Sequence, residues 1–293
     1  MSNKSFERLM PQRSFGVFKM SKGSLTGYNF LYESPNCWRK FYLSKVLNLE
    51  PEHPPYYFPF GTAIHEGMEA FYSDGFDEAK LTTTFEDSMD ESYKLFDREQ
   101  FNELVSTGKS MINHWVNKWA EHDRRTYEVV ETEVEHEKDL PNSHLFTFKI
   151  DRVLRNKETR VEYIFDTKTT QSSVTRTYHT ARLGDQATAY LWGYEKAVAF
   201  VVDILYKKGR VTDCQRYEIV RTKQDIQAFL SSTMNKTEYI SNAVAAVEQG
   251  GDPFFYFPRH GGYSCQFSCP FSDICRNNIP TSYVPVGFKR KEQ

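Results

Sequence analysis

Ile64, Met68 and Phe71 recur at the spacing of one helical face, which predicts a helix over Gly61 to Tyr72. Met111, Trp115 and Trp119 repeat at four-residue steps and predict a second helix over Leu104 to His122. The Pro- and Tyr-rich stretch from Glu50 to Pro59 ahead of them reads as a loop. The period then changes. From Tyr127 to His136, Val130, Thr132 and Val134 alternate with Glu131, Glu133 and Glu135, as in a half-exposed strand. Leu145 to Arg155 and Arg160 to Lys168 are two further strands, separated by the polar turn Asn156 to Thr159. Leu183 to Phe200 reads as a helix, and Val201 to Tyr206 and Tyr217 to Val220 as strands. Thr222 and Asp225 have the spacing of a capping box opening a last helix that carries Ile226, Phe229, Leu230, Ile240, Val244 and Val247. From Pro253 onward the chain is rich in Gly, Pro, aromatics and Cys, and needs a ligand to hold it together.

That order predicts an α/β or α+β core. The expected organisation is a single domain over 1–293. It comprises a helical segment (61–125), an α/β core (126–250) and a cysteine-rich C-terminal cap (251–293).

Composition narrows the picture. A hydrophobic fraction of 39% supports a sizeable core, and 23 Phe with 18 Tyr suit strands better than a helical bundle. No apolar run reaches the length of a membrane span and the N-terminus lacks a signal-peptide pattern, so a soluble cytoplasmic protein is expected. A formal charge of −2 gives no global nucleic-acid signature. Charge is nevertheless uneven: Gly61 to Glu103 holds twelve acids against three bases, and Phe148 to Gln224 fifteen bases against nine acids. On charge alone, an acidic helical face opposite a solvated basic sheet edge is the favoured reading of such runs.

The chemistry-bearing residues cluster on the second and third strands. Asp151 lies at the end of one, in Lys149-Ile150-Asp151-Arg152, and Asp166 and Lys168 at the end of the next, in Ile164-Phe165-Asp166-Thr167-Lys168. If these strands form a hairpin, the two carboxylates converge on one hard divalent cation, and Lys168 shares a face with Asp166. Gly61 and His65 form a Gly-x-x-x-His at a helix start, and Gln186 and Tyr190 stand at i and i+4 on a helix. Each of these alone is an ordinary surface or core pattern.

Taken in order, the series resembles the RecB-type exonuclease branch of the PD-(D/E)XK nuclease superfamily, over roughly 28–276. The resemblance includes Cys37 within Ser34-Pro35-Asn36-Cys37-Trp38-Arg39-Lys40-Phe41. It implies a restriction-endonuclease-like mixed sheet flanked by helices, with an N-terminal helical segment. It further implies that His65, Asp151, Asp166 and the Thr167 carbonyl ligate Mg²⁺ or Mn²⁺, and that Lys168 is the catalytic lysine. Gln186 and Tyr190 would position DNA or align the site. The family often adds a Glu on the preceding strand, here Glu131 or Glu133, with Glu133 preferred.

Five cysteines are present, and Cys265, Cys269 and Cys275 close the chain with Cys37 as a remote fourth member. Thiolates suit Zn²⁺ or an iron–sulfur cluster, and spacing alone does not choose. The arrangement looks like the 4Fe–4S site of AddB-type and CRISPR-adaptation nucleases, although three residues rather than two separate Cys265 from Cys269. Cys214 falls in a predicted turn and reads as a free thiol.

No base-reading motif and no helicase P-loop occurs, so binding is expected through phosphates and stacking, with Tyr178 and Tyr190 available beside Arg176 and Arg182. The expected activity is a metal-dependent exonuclease acting on DNA ends or single strands in recombination, replication or repair, in a bacterium or phage. A helicase, recombinase or integrase is a candidate partner. The competing readings are a non-catalytic DNA-end-binding protein and a nuclease that trims CRISPR spacers.

Overall fold

The computed structural model describes residues 37–52, 57–209, 211–262, 265, 269–279 and 283–290. Ser34, Pro35 and Asn36 of the N-terminal cysteine segment therefore lie outside the described residues. α1 (Trp38–Phe41) runs into a π-helical turn (Tyr42–Val46), and β1 (Leu49–Pro51) pairs antiparallel with β7 (Phe288–Arg290). A helical layer follows, formed by α2 (Tyr57–Ser73), α3 (Glu78–Glu91), α4 (Arg98–Trp115), a second π-helical turn (Val116–Ala120) and α5 (Glu121–Thr126).

The sheet consists of β2 (Tyr127–Asp139), β3 (Leu145–Asn156), β4 (Glu162–Thr170), β5 (Ala197–Lys208) and β6 (Val211–Ile219), in spatial order β2-β3-β4-β5-β6. Only β4 and β5 are parallel; the other pairs are antiparallel. Between β4 and β5 the chain forms α6 (Val174–Leu183) and α7 (Gln186–Gly193). After β6 come α8 (Lys223–Glu248), α9 (Pro253–Tyr256) and α10 (Ser272–Arg276).

Two apolar clusters sandwich the sheet. One joins α2, α3 and α4 to Leu154, Phe165, Val201 and Leu205; the other joins α1, α7, α8 and the cap to Val153, Ile164, Phe200 and Val202. The alternation of side chains along each strand produces this division. The three-antiparallel-strand reading and the Thr222/Asp225 capping box hold in the structure.

Other expectations need correction. The loop over Glu50 to Pro59 gives way to β1 at its start and to α2 from Tyr57. The helix expected over Leu183 to Phe200 is broken. Gly184 ends α6, Asp185 opens α7, and Ala197 already begins β5. β5 is a central strand buried on both faces, so it carries a continuous apolar run without the alternation that identifies a half-exposed strand. α3 stands between the two helices expected from apolar spacing; Asp77 caps it, and Leu81, Phe85 and Met89 form its buried stripe. It nests where a Cβ on Gly108 of α4 would fall 2.1 Å from the Phe85 ring. Cys214 lies in β6, fully buried, not in a turn.

Beneath the helical layer lies a closed network of buried charge. Asp203 of β5 accepts from Arg216 Nε at 2.6 Å, from Arg152 Nη2 at 3.1 Å and from Trp115 Nε1 at 3.1 Å. Asp123 of α5 accepts from both Arg216 Nη atoms at 2.6 and 2.9 Å, and from the Tyr72 hydroxyl at 2.6 Å. Two guanidinium groups thus offset two carboxylates, and the network ties α2, α4 and α5 to β3, β5 and β6. Breaking a buried pair leaves an uncompensated charge. Arg216→Ala is therefore expected to lower stability by about 3–5 kcal/mol. Urea denaturation measures it, and a loss below about 1 kcal/mol would contradict this account of the network.

Candidate active site

The site begins where the β3–β4 ladder stops. Pairing runs only over Arg152↔Phe165 to Arg155↔Glu162, although β3 extends back to Leu145 and β4 onward to Thr170. β4 stays paired with β5 as far as Thr170↔Tyr206, so β3 is the strand that departs. Asp151 therefore sits in mid-strand, at the opening of a splay, not at the strand end expected from the sequence. Its carboxylate takes over the lost ladder bond: the Thr167 backbone N–H donates to Asp151 Oδ2 at 3.2 Å.

Four further side chains meet there. His65 Nδ1, from α2, lies 3.0 Å from Asp151 Oδ2. Asp166 Oδ1 accepts from Lys168 Nζ and from Gln186 Nε2 of α7, each at 2.9 Å. Asp166 Oδ2 is buried and accepts no hydrogen bond, although the same ammonium lies 2.9 Å away. The sequence-derived set of His65, Asp151, Asp166, Lys168 and Gln186 is thus brought together, and Thr167 contributes its backbone.

Charge sets the protonation of this group. Burial pushes the Asp151 carboxyl up, but the hydrogen bond and charge of His65, with Lys168 and Arg152, outweigh it and hold the carboxyl at about 2. Asp166 moves the other way, because burial and the Asp151 charge together exceed the pull of Lys168. Burial lowers the Lys168 ammonium, yet Asp166 and Asp151 raise it overall. His65 is likewise raised, its bond to Asp151 outweighing burial.

Glu133 of β2 completes the group. One ligand atom each from His65, Glu133 and Asp151 lies within 4.8 Å of the others. Glu133 has φ 52°, left-handed backbone that costs a non-glycine residue about 1–2 kcal/mol. Its carboxylate pairs with Lys149 at 2.6 Å. Glu131 is turned to another partner, His136, at 2.5 Å. An open cavity of about 470 Å³ lies in front, lined by His65, Glu133 and Asp151 and also by Glu66 and Glu69. Burial and the neighbouring Glu133 raise the Glu69 carboxyl. These donors suit a hard divalent cation, since one imidazole and two carboxylates converge on one side of the splay, and Asp166 beside them keeps one carboxylate oxygen without a hydrogen bond.

Tyr190 corrects an expectation. It is buried between Phe148 and Phe200, with ring centroids 5.6 and 6.0 Å away, so it offers no face for base stacking. Tyr178 lies flat on Tyr217 at 4.1 Å. Arg176 and Arg182 are exposed on α6.

The cysteines converge at the far side of the core. Cys37 precedes α1 and Cys275 lies in α10; with Cys265 and Cys269 they are close enough for each to push up the thiol of Cys275, which burial raises most and Arg39 lowers. Among the described residues, no three of these Sγ atoms lie within 4.8 Å of one another. Arg39 is the tie. It donates from Nε to the Phe257 carbonyl and from Nη2 to that of Phe254, both at 2.8 Å, and its guanidinium lies 3.5 Å over the Phe254 ring.

The family model of the PD-(D/E)XK nuclease superfamily matches residues 32–276. The chain belongs to that superfamily. The five-stranded mixed sheet flanked by helices is accordingly the restriction-endonuclease-like fold. Among solved structures, a candidate exonuclease from Eubacterium rectale is similar over 94% of this chain and 96% of its own, with 11% identity and a TM-score of 0.52. That likeness supports the fold alone. An alkaline exonuclease from Laribacter hongkongensis matches over 66% of this chain and 100% of its own, at 13% identity and a TM-score of 0.26, too low to add to the argument. No curated protein matches the chain. Among the described residues no helix is long and apolar enough to cross a membrane.

The geometry makes His65 a reporter of Asp151. Removing the negative charge in Asp151→Asn leaves burial, which lowers the imidazole, so its pKa in metal-free protein is expected to fall. The stability that wild-type His65 contributes is full below its unfolded value of about 6.5 and is lost as pH rises through the raised folded value. NMR titration of the imidazole checks this, and an unchanged pKa in the variant would refute the pairing.

Proposed function

We propose that this superfamily member is a divalent-metal-dependent DNA exonuclease of the RecB-type branch, acting at DNA ends or on single strands. The observation that carries the reading is the splay itself: Asp151, Asp166 and Lys168 stand together with His65 and Gln186 at the one place where β3 leaves β4.

In this reading His65, Asp151, Asp166 and the Thr167 carbonyl hold Mg²⁺ or Mn²⁺, with Glu133 as a further oxygen donor. The Thr167 carbonyl is suited to this because the N–H and C=O of a strand residue point to the same edge, and its N–H already points at Asp151. A cation bound there polarises a phosphate and lowers the pKa of a water. The protein does the rest. Lys168 leaves its pairing with Asp166 to orient the attacking water and to offset charge gathering on the phosphate oxygens. Gln186 holds Asp166 in place through the change, with Tyr190 packed beneath the same helix face. Exposed Arg176 and Arg182 offer phosphate contacts without base reading.

The cysteine site supports a second element of the proposal, a 4Fe–4S cluster held by Cys37, Cys265, Cys269 and Cys275. Zn²⁺ is the alternative occupant, since thiolates suit either. The cluster's role would be architectural, because hydrolysis moves no electrons.

Lys168→Ala is expected to abolish cleavage of end-labelled DNA while leaving DNA binding in Ca²⁺ largely intact, and Asp166→Ala to lose metal binding as well. Wild-type cleavage by either variant at saturating Mg²⁺ or Mn²⁺ would overturn the site assignment. A metal-dependent product ladder from wild type alone would also give the polarity. DNA binding with no cleavage under any metal would instead favour a non-catalytic end-binding protein.

Anaerobically purified protein is expected to be brown, with about four iron atoms per chain. Cys265→Ser should lose iron and stability together. A colourless, iron-free preparation holding one Zn²⁺ would transfer the site to zinc.

A further inference from the structure

Arg152 and Thr167 are fully buried side chains next to the proposed catalytic carboxylates, yet they point away from them. Strand alternation sends Asp166 and Lys168 to one face of β4 and Thr167 to the other, under the helical layer. Arg152 is the last β3 residue paired with β4, opposite Phe165. Its side chain reaches two residues further along β4, where Nη1 donates to Thr167 Oγ1 at 2.9 Å. Its Nη2 donates to Asp203, and Asp203 stands opposite Thr167 on the paired strand β5.

The guanidinium is also fixed from outside. It lies 4.7 Å from the centroid of the Tyr72 ring and 5.5 Å from that of Phe165, and Asp203 is itself held by Arg216 and Trp115. A ring of Thr167, Arg152 and Asp203 therefore bridges β3, β4 and β5 across the position where the ladder ends.

We infer that the Arg152–Thr167 hydrogen bond is a positioning clamp that sets how far β3 and β4 splay, and through it the metal affinity of the site. Without it, among the described residues Thr167 is joined to β3 by the hydrogen bond from its own N–H to Asp151. That same peptide and that same carboxylate are the groups proposed to face the cation. A rotation of the Thr167 peptide thus moves a ligand and the partner of another ligand together. The Arg152 and Thr167 side chains touch neither the substrate nor the cation; they act through Asp151 and the Thr167 backbone. The inference rests on the metal-site reading proposed above.

Thr167→Val removes the hydroxyl with little change in shape, and Thr167→Ser keeps it. Calorimetric titration of Mn²⁺ into nuclease-competent full-length protein, without DNA, compares wild type, both variants and Asp166→Ala. Thr167→Val is expected to bind Mn²⁺ about 10-fold more weakly than wild type, the scale typical of lost partners behind metal ligands. Thr167→Ser should bind as wild type does. With DNA at saturating Mn²⁺, Thr167→Val should lower kcat with KM unchanged, and thermal melting confirms that each variant is folded. If Thr167→Val does not fold, Thr167→Ala makes the same comparison with Thr167→Ser.

Wild-type Mn²⁺ affinity in Thr167→Val overturns the clamp while leaving the nuclease reading standing. A Thr167→Ser variant as impaired as Thr167→Val does so too, because the hydroxyl would then not be the cause. Equal Mn²⁺ binding by wild type and Asp166→Ala overturns the metal-site reading, and the clamp falls with it.

Discussion

Beyond Phe165 the β4 backbone has one neighbour in place of two, and the whole site follows from how that deficit is met. A buried amide needs an acceptor. In the regular ladder β3 would supply a carbonyl; here the Asp151 carboxylate does so at 3.2 Å. A charged acceptor in place of a neutral one leaves the second lone-pair positions of the carboxylate available, with His65 beside it. Strand departure thus converts a structural requirement into a cluster of acidic oxygens. The splay also gives α7 access to the same region, so Gln186 reaches Asp166 from the far face. Sheet topology places the chemistry, and the side chains exploit an opening that a fully paired sheet would close.

The two sides of the sheet treat buried charge in opposite ways. Under the helical layer, Arg152, Asp203, Arg216 and Asp123 offset one another, and nearly every donor has an acceptor. Such a network is costly to desolvate and gains little net stability over an apolar core of the same shape. Its benefit is geometric, since six elements are fixed relative to one another by directional bonds. At the splay the balance is deliberately incomplete. Asp166 retains a buried oxygen without a hydrogen bond, and its carboxyl is shifted up by burial and by Asp151. Glu69 is shifted up beside Glu133. Acidic groups that repel one another in a partly buried pocket are what a cation would stabilise, whereas the network behind them is already balanced by two guanidinium groups.

The strongly periodic segments were legible in the sequence: α2, β2, β3 and α8 stand close to where their apolar spacing put them. Local spacing also gave Asp166 and Lys168 a common face. What spacing could not give was the end of the β3–β4 pairing. Register depends on partners far along the chain, and nothing between Leu145 and Lys168 marks Arg152 as the last paired residue. The same limit explains Arg152 and Asp203. Each reads as a charged residue within an apolar strand, and only the fold shows that they neutralise each other across 51 positions. The burial of Tyr190, which removes it as a stacking surface, shows a related limit. An i,i+4 pair with Gln186 shares a helix face, but α7 is buried on nearly every side, so the shared face is core rather than surface.

The cap extends the same logic to the chain ends. Its segments after Pro253 are short, and the four-residue α9 and five-residue α10 could not stand alone as helices in water. Apolar packing of Phe257, Phe271 and Ile274 against α1 supplies part of what is missing. Arg39 supplies direction: three bonds from one residue, two from its guanidinium and one from its backbone N–H to the Pro258 carbonyl, fix the register of α1 against the cap. That register brings Cys37 to the three late cysteines. The side chain that orders the cap is also the cation nearest in effect to Cys275, drawing its thiol down against burial and the neighbouring sulfurs. In the proposed cofactor site, four thiolates would need such a counter-charge, because they cannot share a small volume without positive charge from a metal and its surroundings. The tie that closes the chain and the charge that tolerates the thiolates are therefore one residue.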